Sequence, residues 1–417
     1  MSRFFLWAPV LGMGLSPLLG CSGGKDPVSP CADGSWGAVP DPVTAIQVRT
    51  DGVDGAEGSL DAPVATLDAA LALARARSSD RTIFVGPGEF DGVALSMAHD
   101  PGDGSTDDGL VLQGCTDETT LNAANEDGPI LQVTAAQGVT LAALDLVGGS
   151  RALWIWSGAT VRASQMSIQG SGRLGILVND QSTTVDLEDI AVADTVDDEA
   201  FPGVAFGLGI YNADVTGSRV KISGSQWAGV FLGGDGVSGS LDLDACDVSG
   251  TTEAANGEYG RAVHAQDAAD LTLTGCTLSN QTDAAVFALQ VQAVTLSNLT
   301  VATVGDAVIP DETETSGDGL VITSDDGSGL SVDPADFTAT LKDNSIGDFD
   351  RAGMVVEGVT AEVDANTTSG GLFGKTQQGG AILTGSDTMD FTAETLLFNR
   401  VMFDVTKMTK MVGGEGG

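Results

Sequence analysis

The chain has 417 residues, a formal net charge of −40 with only 18 Lys and Arg, 42% hydrophobic residues and 57 Gly. Such an excess of carboxylate disfavours nucleic acid and anionic membrane surfaces as partners and favours divalent cations, while the apolar fraction is too high for a disordered acidic tail. With His99 and His264 as the two histidines and no CxxC pair, there is almost no material for a zinc or histidine-based catalytic centre.

Residues 1–20 carry one positive charge at Arg3, an apolar run short for a membrane span and a small-residue ending, the pattern of an export signal. Leu18, Leu19, Gly20 and Cys21 resemble the lipobox of bacterial lipoproteins. That resemblance implies lipidation of Cys21 as the mature N-terminus, against the alternatives of a plain signal peptide or an uncleaved anchor. Ser22 stands where an inner-membrane retention signal would have Asp, so the expected location is the outer membrane, lipid-anchored and surface-exposed.

Residues 21–45 are rich in Gly, Pro and Ser and read as a flexible tether, followed by one domain over 46–411 and a disordered tail at 412–417. At the start of the domain, Pro63 opens a predicted helix with Val64, Leu67, Leu71 and Ala74 at helical spacing. Ile83 and Val85 then alternate as a strand before the turn Gly86-Pro87-Gly88. From there a unit of two apolar positions, a two-residue gap and two more apolar positions recurs. It begins at Val139, Val161, Val185, Val220, Leu241, Leu271, Val294, Ala339, Ala361 and Met389. Periods of this size with two-residue alternation predict a solenoid, in which each turn buries its apolar face only against its neighbours. The third apolar slot turns polar late in the series, at Asn344, Asn366 and Glu394, which suggests looser C-terminal turns or a slipped register.

A second strand follows in nearly every unit, opened by Gly or Ala, and alternation points its second and fourth residues inward. Its third residue then faces out: Trp154, Leu177, Tyr211, Phe231, His264, Phe287, Val321, Val355 and Leu383. An outward aromatic and aliphatic stripe calls for an occupant. The stripe is either a surface for a polysaccharide, whose sugar rings stack on flat aromatics, or a face covered by the chain itself or by a second copy. Insertions at 195–207, 251–260 and 303–318 leave the coil at equivalent corners. They gather carboxylates, with Asp197, Asp198, Glu253 and Asp306 as a candidate Ca²⁺ set and solvated acidic loops as the alternative. A Thr395 to Met411 segment is expected to cover the C-terminal end.

The opening pattern GxxxxPxxTLxxALxxA followed by IFVGPGEF resembles that of exported right-handed parallel β-helix proteins of the pectate-lyase-like superfamily, a likeness covering about residues 50–400. It implies an all-β coil of ten or more turns with a short N-terminal capping helix. It also implies that calcium with an arginine base, as at Arg151, Arg173, Arg261 or Arg351, could serve a polysaccharide lyase. The hydrolase and lyase motifs GHG, NTD with a paired Asp, and WxDH are absent, and Arg219-Val220-Lys221 stands without partners. The expected function is thus a surface-anchored binding or adhesion module, with carbohydrate the favoured ligand. The alternatives are a calcium-dependent polysaccharide lyase or glycosidase, and a structural surface protein; oligomeric state is left open.

Cys31, Cys115, Cys246 and Cys276 remain in an oxidising compartment. Cys246 and Cys276 occupy one slot of consecutive units, about 4.8 Å apart in a stacked coil, which admits either a disulfide or two core thiols. Cys31 with Cys115 would pin the tether to an early turn. Replacing Cys21 with Ser is expected to abolish lipid labelling and release the protein from membranes in a fractionation assay.

Overall fold

Alternating apolar residues give each strand one inward side, and in a coil the backbone groups of each strand are satisfied by the turns above and below. The computed structural model describes residues 27–77, 79–96, 106–123, 128–196, 205–234, 238–254, 259–305, 317–324, 336–349, 353–357, 359–369, 382–383 and 396–397. These form a right-handed parallel β-helix with three strands in each regular turn. One strand of each turn belongs to an 11-stranded sheet, here called the first face. The other two lie in a 22-stranded sheet folded along its length into a second and a third face.

The repeat seen in the sequence is the second face running into the third. Val139, Val161, Val185, Val215, Leu241, Leu271, Val294, Ala339 and Ala361 stack in register. The fourth unit therefore begins at Val215, not Val220. Gly217 fills its second apolar slot and hid it, and a Cβ there would lie 2.8 Å from Leu243, which occupies the space. Between the two faces the chain turns on one left-handed residue in every unit: Ala143, Gln165, Asp189, Arg219, Ala245, Gly275, Asn298, Asp343 and Ala365 all have φ between 52° and 63° where their values are 53°, 53°, 54°, 55°, 53°, 63°, 55°, 55° and 52°. A side chain in that region costs about 1 kcal/mol or more. The ladders on both sides of the corner hold it there.

The polar third slot is no slip of register. Asn344 Oδ1 accepts from Leu299 N at 2.9 Å while Nδ2 donates to Leu296 O at 2.9 Å, and Asn366 repeats the arrangement one turn on, accepting from Asn344 N and donating to Leu341 O. The two amides replace apolar fillers with hydrogen bonds to corner backbone that would otherwise be buried unpaired.

At the N-terminal end, the helix is Leu67–Arg75, shorter than the spacing from Pro63 predicts. Thr66 caps it by accepting from Ala69 N, and Val64 instead bridges to Val48. Leu67, Ala70, Leu71 and Ala74 are buried in the main core, and Arg75 pairs with Asp107 at 2.8 Å. Within the expected tether, Cys31 is bonded to Cys115 with Cα atoms 5.4 Å apart, and Trp36 packs on Phe84. Cys246 and Cys276 are likewise bonded, with Cα atoms 4.4 Å apart. At the other end, Ile382–Leu383 and Leu396–Leu397 pair antiparallel to Met354–Val355 and Thr360–Ala361, reversing the stacking direction. Cys21, Met389, Glu394 and the rest of 398–417 lie outside the described residues.

Asn344→Leu would restore an apolar slot but orphan the Leu299 N–H and the Leu296 carbonyl. It is expected to cost about 2 kcal/mol, measured as a lower urea midpoint, and an unchanged midpoint would show that the asparagines are mere fillers.

Candidate functional site

The first face presents three outward columns, because its strands kink at the small opening residue. Gly207 shows why that residue is small: a Cβ there would meet Ile222 of the third face at 2.4 Å. The central column reads Gln132, Trp154, Leu177, Gly209, Phe231, His264, Phe287, Val321 and Val355. Alternation correctly puts this column outside the main core. Tyr211, however, is not in it. The strand opens at Gly207 rather than Gly209, so Tyr211 falls two places on, in the column of Asn179, Gly233 and Gln266.

The stripe is largely covered by the chain itself. Leu177 is 9% exposed, Phe231 6% and His264 3%, whereas Trp154, Tyr211 and Phe287 are half-buried. The cover comes from residues the sequence analysis passed over: Phe206, Trp227 and Tyr259. Phe206 stacks on Phe231 with ring centres 4.7 Å apart and planes 12° apart, in room left by Gly209. Trp227 stacks on His264 at 4.9 Å, and Tyr259 meets Trp227 edge-on at 4.8 Å. The signal for Phe206 was its place just before the true opener. Phe231 is thus a member of a second small core, and its removal would leave a cavity costing about 3 kcal/mol.

Beneath that cover lies a closed polar network. Arg261 donates from Nε to Asp283 Oδ2, and its guanidinium sits 4.1 Å from the Tyr259 ring centre and 3.7 Å from that of Phe287. Arg261 Nη1 lies 3.0 Å from His264 Nδ1. Arginine can only donate, so Nδ1 accepts and His264 carries its proton on Nε2, which donates to Gln266 Oε1 at 3.1 Å. Burial first and the neighbouring Arg261 charge second push the imidazole pKa down to about 3. Held neutral by burial beside an ion-paired arginine, His264 is a structural member of the face, and Arg261 is engaged rather than poised as a base.

Toward the N-terminus the face changes character. Trp154 and Trp156, two residues apart on one strand, stack with centres 5.1 Å apart and planes 15° apart, and Trp154 Nε1 donates to Asn179 Oδ1 at 2.7 Å. Arg151 lies with its Cζ 5.0 Å from the Trp154 ring centre. Burial and then the charge of Arg173 hold its pKa below the usual arginine value. Tyr211 is pushed up to about 12 by burial, opposed by Arg173. Trp156 was missed by the sequence analysis although it shares the parity of Trp154.

Of the candidate calcium ligands, Asp197, Asp198 and Asp306 lie outside the described residues, as does Arg351. Glu253 is described and half-buried, and no group of three or more metal-ligating side chains forms among the described residues. Arg219 joins an exposed chain of charges, donating to Glu188 Oε1 at 2.8 Å and to both oxygens of Asp189. Asp145, whose carboxyl burial and then Asp117 raise, sits on the strand Asp145–Val147 of the third face, away from the aromatic columns.

Because the folded pKa of His264 lies below its unfolded value near 6.5, its contribution to stability is full above that value and is lost as pH falls toward about 3. The unfolding free energy from urea titration is expected to fall across this window, and more steeply in the native chain than in His264→Gln, by a difference on the order of a few kcal/mol. Parallel curves would show that this imidazole does not govern acid stability.

Residues 206–396 match the family model of the right-handed beta helix region. A comparison with curated proteins gives no match. Among solved structures, the chain is similar to the pectate lyase Pel9A at 12% identity, over 77% of this chain and 80% of that one, with a TM-score of 0.50. It is also similar to the catalytic domain of a GH87 α-1,3-glucanase in complex with nigerose at 11% identity, over 81% of this chain and 66% of that one, with a TM-score of 0.46. At such identities the likeness concerns the fold. In fold, the chain stands with the right-handed parallel β-helices.

Proposed function

We propose that the protein is an envelope-anchored module that binds a glycan along the outer side of the first face, and that it binds rather than cleaves. The observation that carries this reading is the set of half-buried rings, Trp154, Trp156, Tyr211 and Phe287, laid along one face of a chain with only 5% aromatics. Flat rings on a rigid ladder suit sugar rings, which offer apolar C–H faces between hydroxyls. The pectate lyase that shares the fold acts on a polysaccharide by its name, in keeping with this ligand class. The resemblance of Leu18 to Cys21 to a lipobox, with Ser22 following it, supports an anchor at the outer membrane.

Binding is favoured over a lyase or glycosidase by what the polar groups of the face are doing. Arg261 is ion-paired, His264 is a buried neutral acceptor, and the raised carboxyl of Asp145 is on another face. A general base or acid must reach the substrate with a matched pKa, and none of these groups meets both demands.

Titration of the purified protein against a glycan array, with and without Ca²⁺, should find a ligand. Trp154→Ala should weaken it about tenfold, the worth of one stacked ring, with the fold retained by circular dichroism. Accumulation of new reducing or unsaturated sugar ends during incubation would overturn the non-catalytic part of the reading.

A further inference from the structure

The end of the coil that carries the capping helix is built as a closed loop of chain. The disulfide between Cys31 and Cys115 joins residues 84 apart in sequence. Between them lie the covering segment with Trp36, the end strand Ile46–Val48, the helix Leu67–Arg75 and the strands of the first turn. Several of the ties that hold this cap begin and end inside the same loop. Asp54 accepts from Ala65 N, Thr66 N and the Thr66 hydroxyl, Arg75 pairs with Asp107, Arg77 donates to Thr44 O, and Gln113 Oε1 accepts from Ala38 N at 2.7 Å. Trp36 meets Phe84 within the loop as well.

Such a layout matters when the chain is pulled from its N-terminal side. In a solenoid each turn is held by its neighbours alone, so a load on the end strips strands one at a time. Ile46–Val48 is a weak last strand: its three residues pair with Ile83–Val85, and Val48 also bridges to Val64. Without a cross-link, tension would peel Trp36 from Phe84, lift this strand and draw out the helix, opening the core at Leu67, Leu71, Ile83 and Leu112. With the cross-link, tension passes from Cys31 through the two sulfurs to Cys115, and residues 32–114 carry none of it.

We propose that the Cys31–Cys115 disulfide is a tension bypass, which carries pull from an N-terminal anchor into the coil at the Cys115 corner and leaves the cap unloaded. This rests on the anchored reading above: a module held to the envelope at one end and to a glycan along its face is stretched whenever the two move apart. Cys115 is a suitable point of entry. Its N–H donates to Thr119 Oγ1 at 2.8 Å, its carbonyl accepts from Glu118 N and Thr119 N, and the Thr119 hydroxyl reaches Val85 O and Gly86 O of the preceding turn, each at 3.1 Å. Gly114 N donates to Ala142 O of the following turn at 2.9 Å. Load therefore enters a corner with a neighbouring turn on both sides, instead of an end strand with one. A bond that merely stabilised the fold would act on every unfolding route, whereas a bypass acts on pulling through residue 31.

The test is single-molecule pulling of the purified chain without residues 1–21, between handles at its two ends. In the native chain the cap is expected to stay in place until the coil beyond Cys115 has opened. In the double variant Cys31→Ser, Cys115→Ser, an added event is expected before any other, at lower force than the first event of the native chain, releasing up to about 300 Å. A third measurement keeps the disulfide and moves the N-terminal handle to the exposed side of the helix through Ala72→azidohomoalanine, so that the cap is loaded directly. The first event should again fall to lower force, with an unchanged melting temperature; should the double variant not fold, this handle decides alone. Equal first-event forces in the native chain and the double variant, or a cap that withstands direct loading as well as the native end does, overturn the bypass and leave the anchored reading standing. A Cys21→Ser protein that stays on membranes overturns the anchored reading, and the bypass, with nothing to pull against, falls with it.

Discussion

Everything in this molecule depends on the hydrogen-bonded ladder between successive turns. Each turn by itself has too little apolar surface to stay folded, and only neighbours about 4.8 Å away satisfy its backbone and bury its Val, Leu and Ile. The ladder is also what keeps alanines such as Ala143, Ala245 and Ala365 in left-handed conformations at the corners. The strain is tolerated since a relaxed residue would throw the next strand out of register with two turns at once. Where the corner backbone has no ladder partner, Asn344 and Asn366 supply one from a side chain. The disulfide from Cys246 to Cys276 joins the same corner column covalently.

Rigidity of this kind makes the outer side of the first face a fixed grid, and the side chains on it are sorted by what the grid allows. Glycine at 209 and 233 frees space for Phe206 and Phe231 to lean across the columns. The middle of the stripe thereby seals itself into a second core, in which the charge of Arg261 is cancelled by Asp283 and spread over Tyr259 and Phe287. No such sealing occurs at Trp154 and Trp156. The contrast between a closed middle and the half-buried rings of Trp154 and Trp156, on one continuous sheet, distinguishes parts of a face whose backbone is uniform.

Periodicity made the fold legible because the same inward pattern is written many times, so an error in one unit is outvoted by the rest. Outward parity was legible for the same reason, and Trp154, Phe231, His264 and Phe287 do stand outside the main core. What could not be read was whether an outward residue is bare. Exposure depends on neighbours in the adjacent columns, and those neighbours were mis-phased wherever glycine replaced an apolar marker, as at Gly217 for Val215 and at Gly207 for Tyr211. The polar slots were misleading in the opposite sense: Asn344 looks like a broken repeat until its amide is placed against the carbonyl of Leu296, 48 residues away. The candidate calcium set depended on insertions, where no repeat constrains the chain, and periodic reasoning had nothing to say about them.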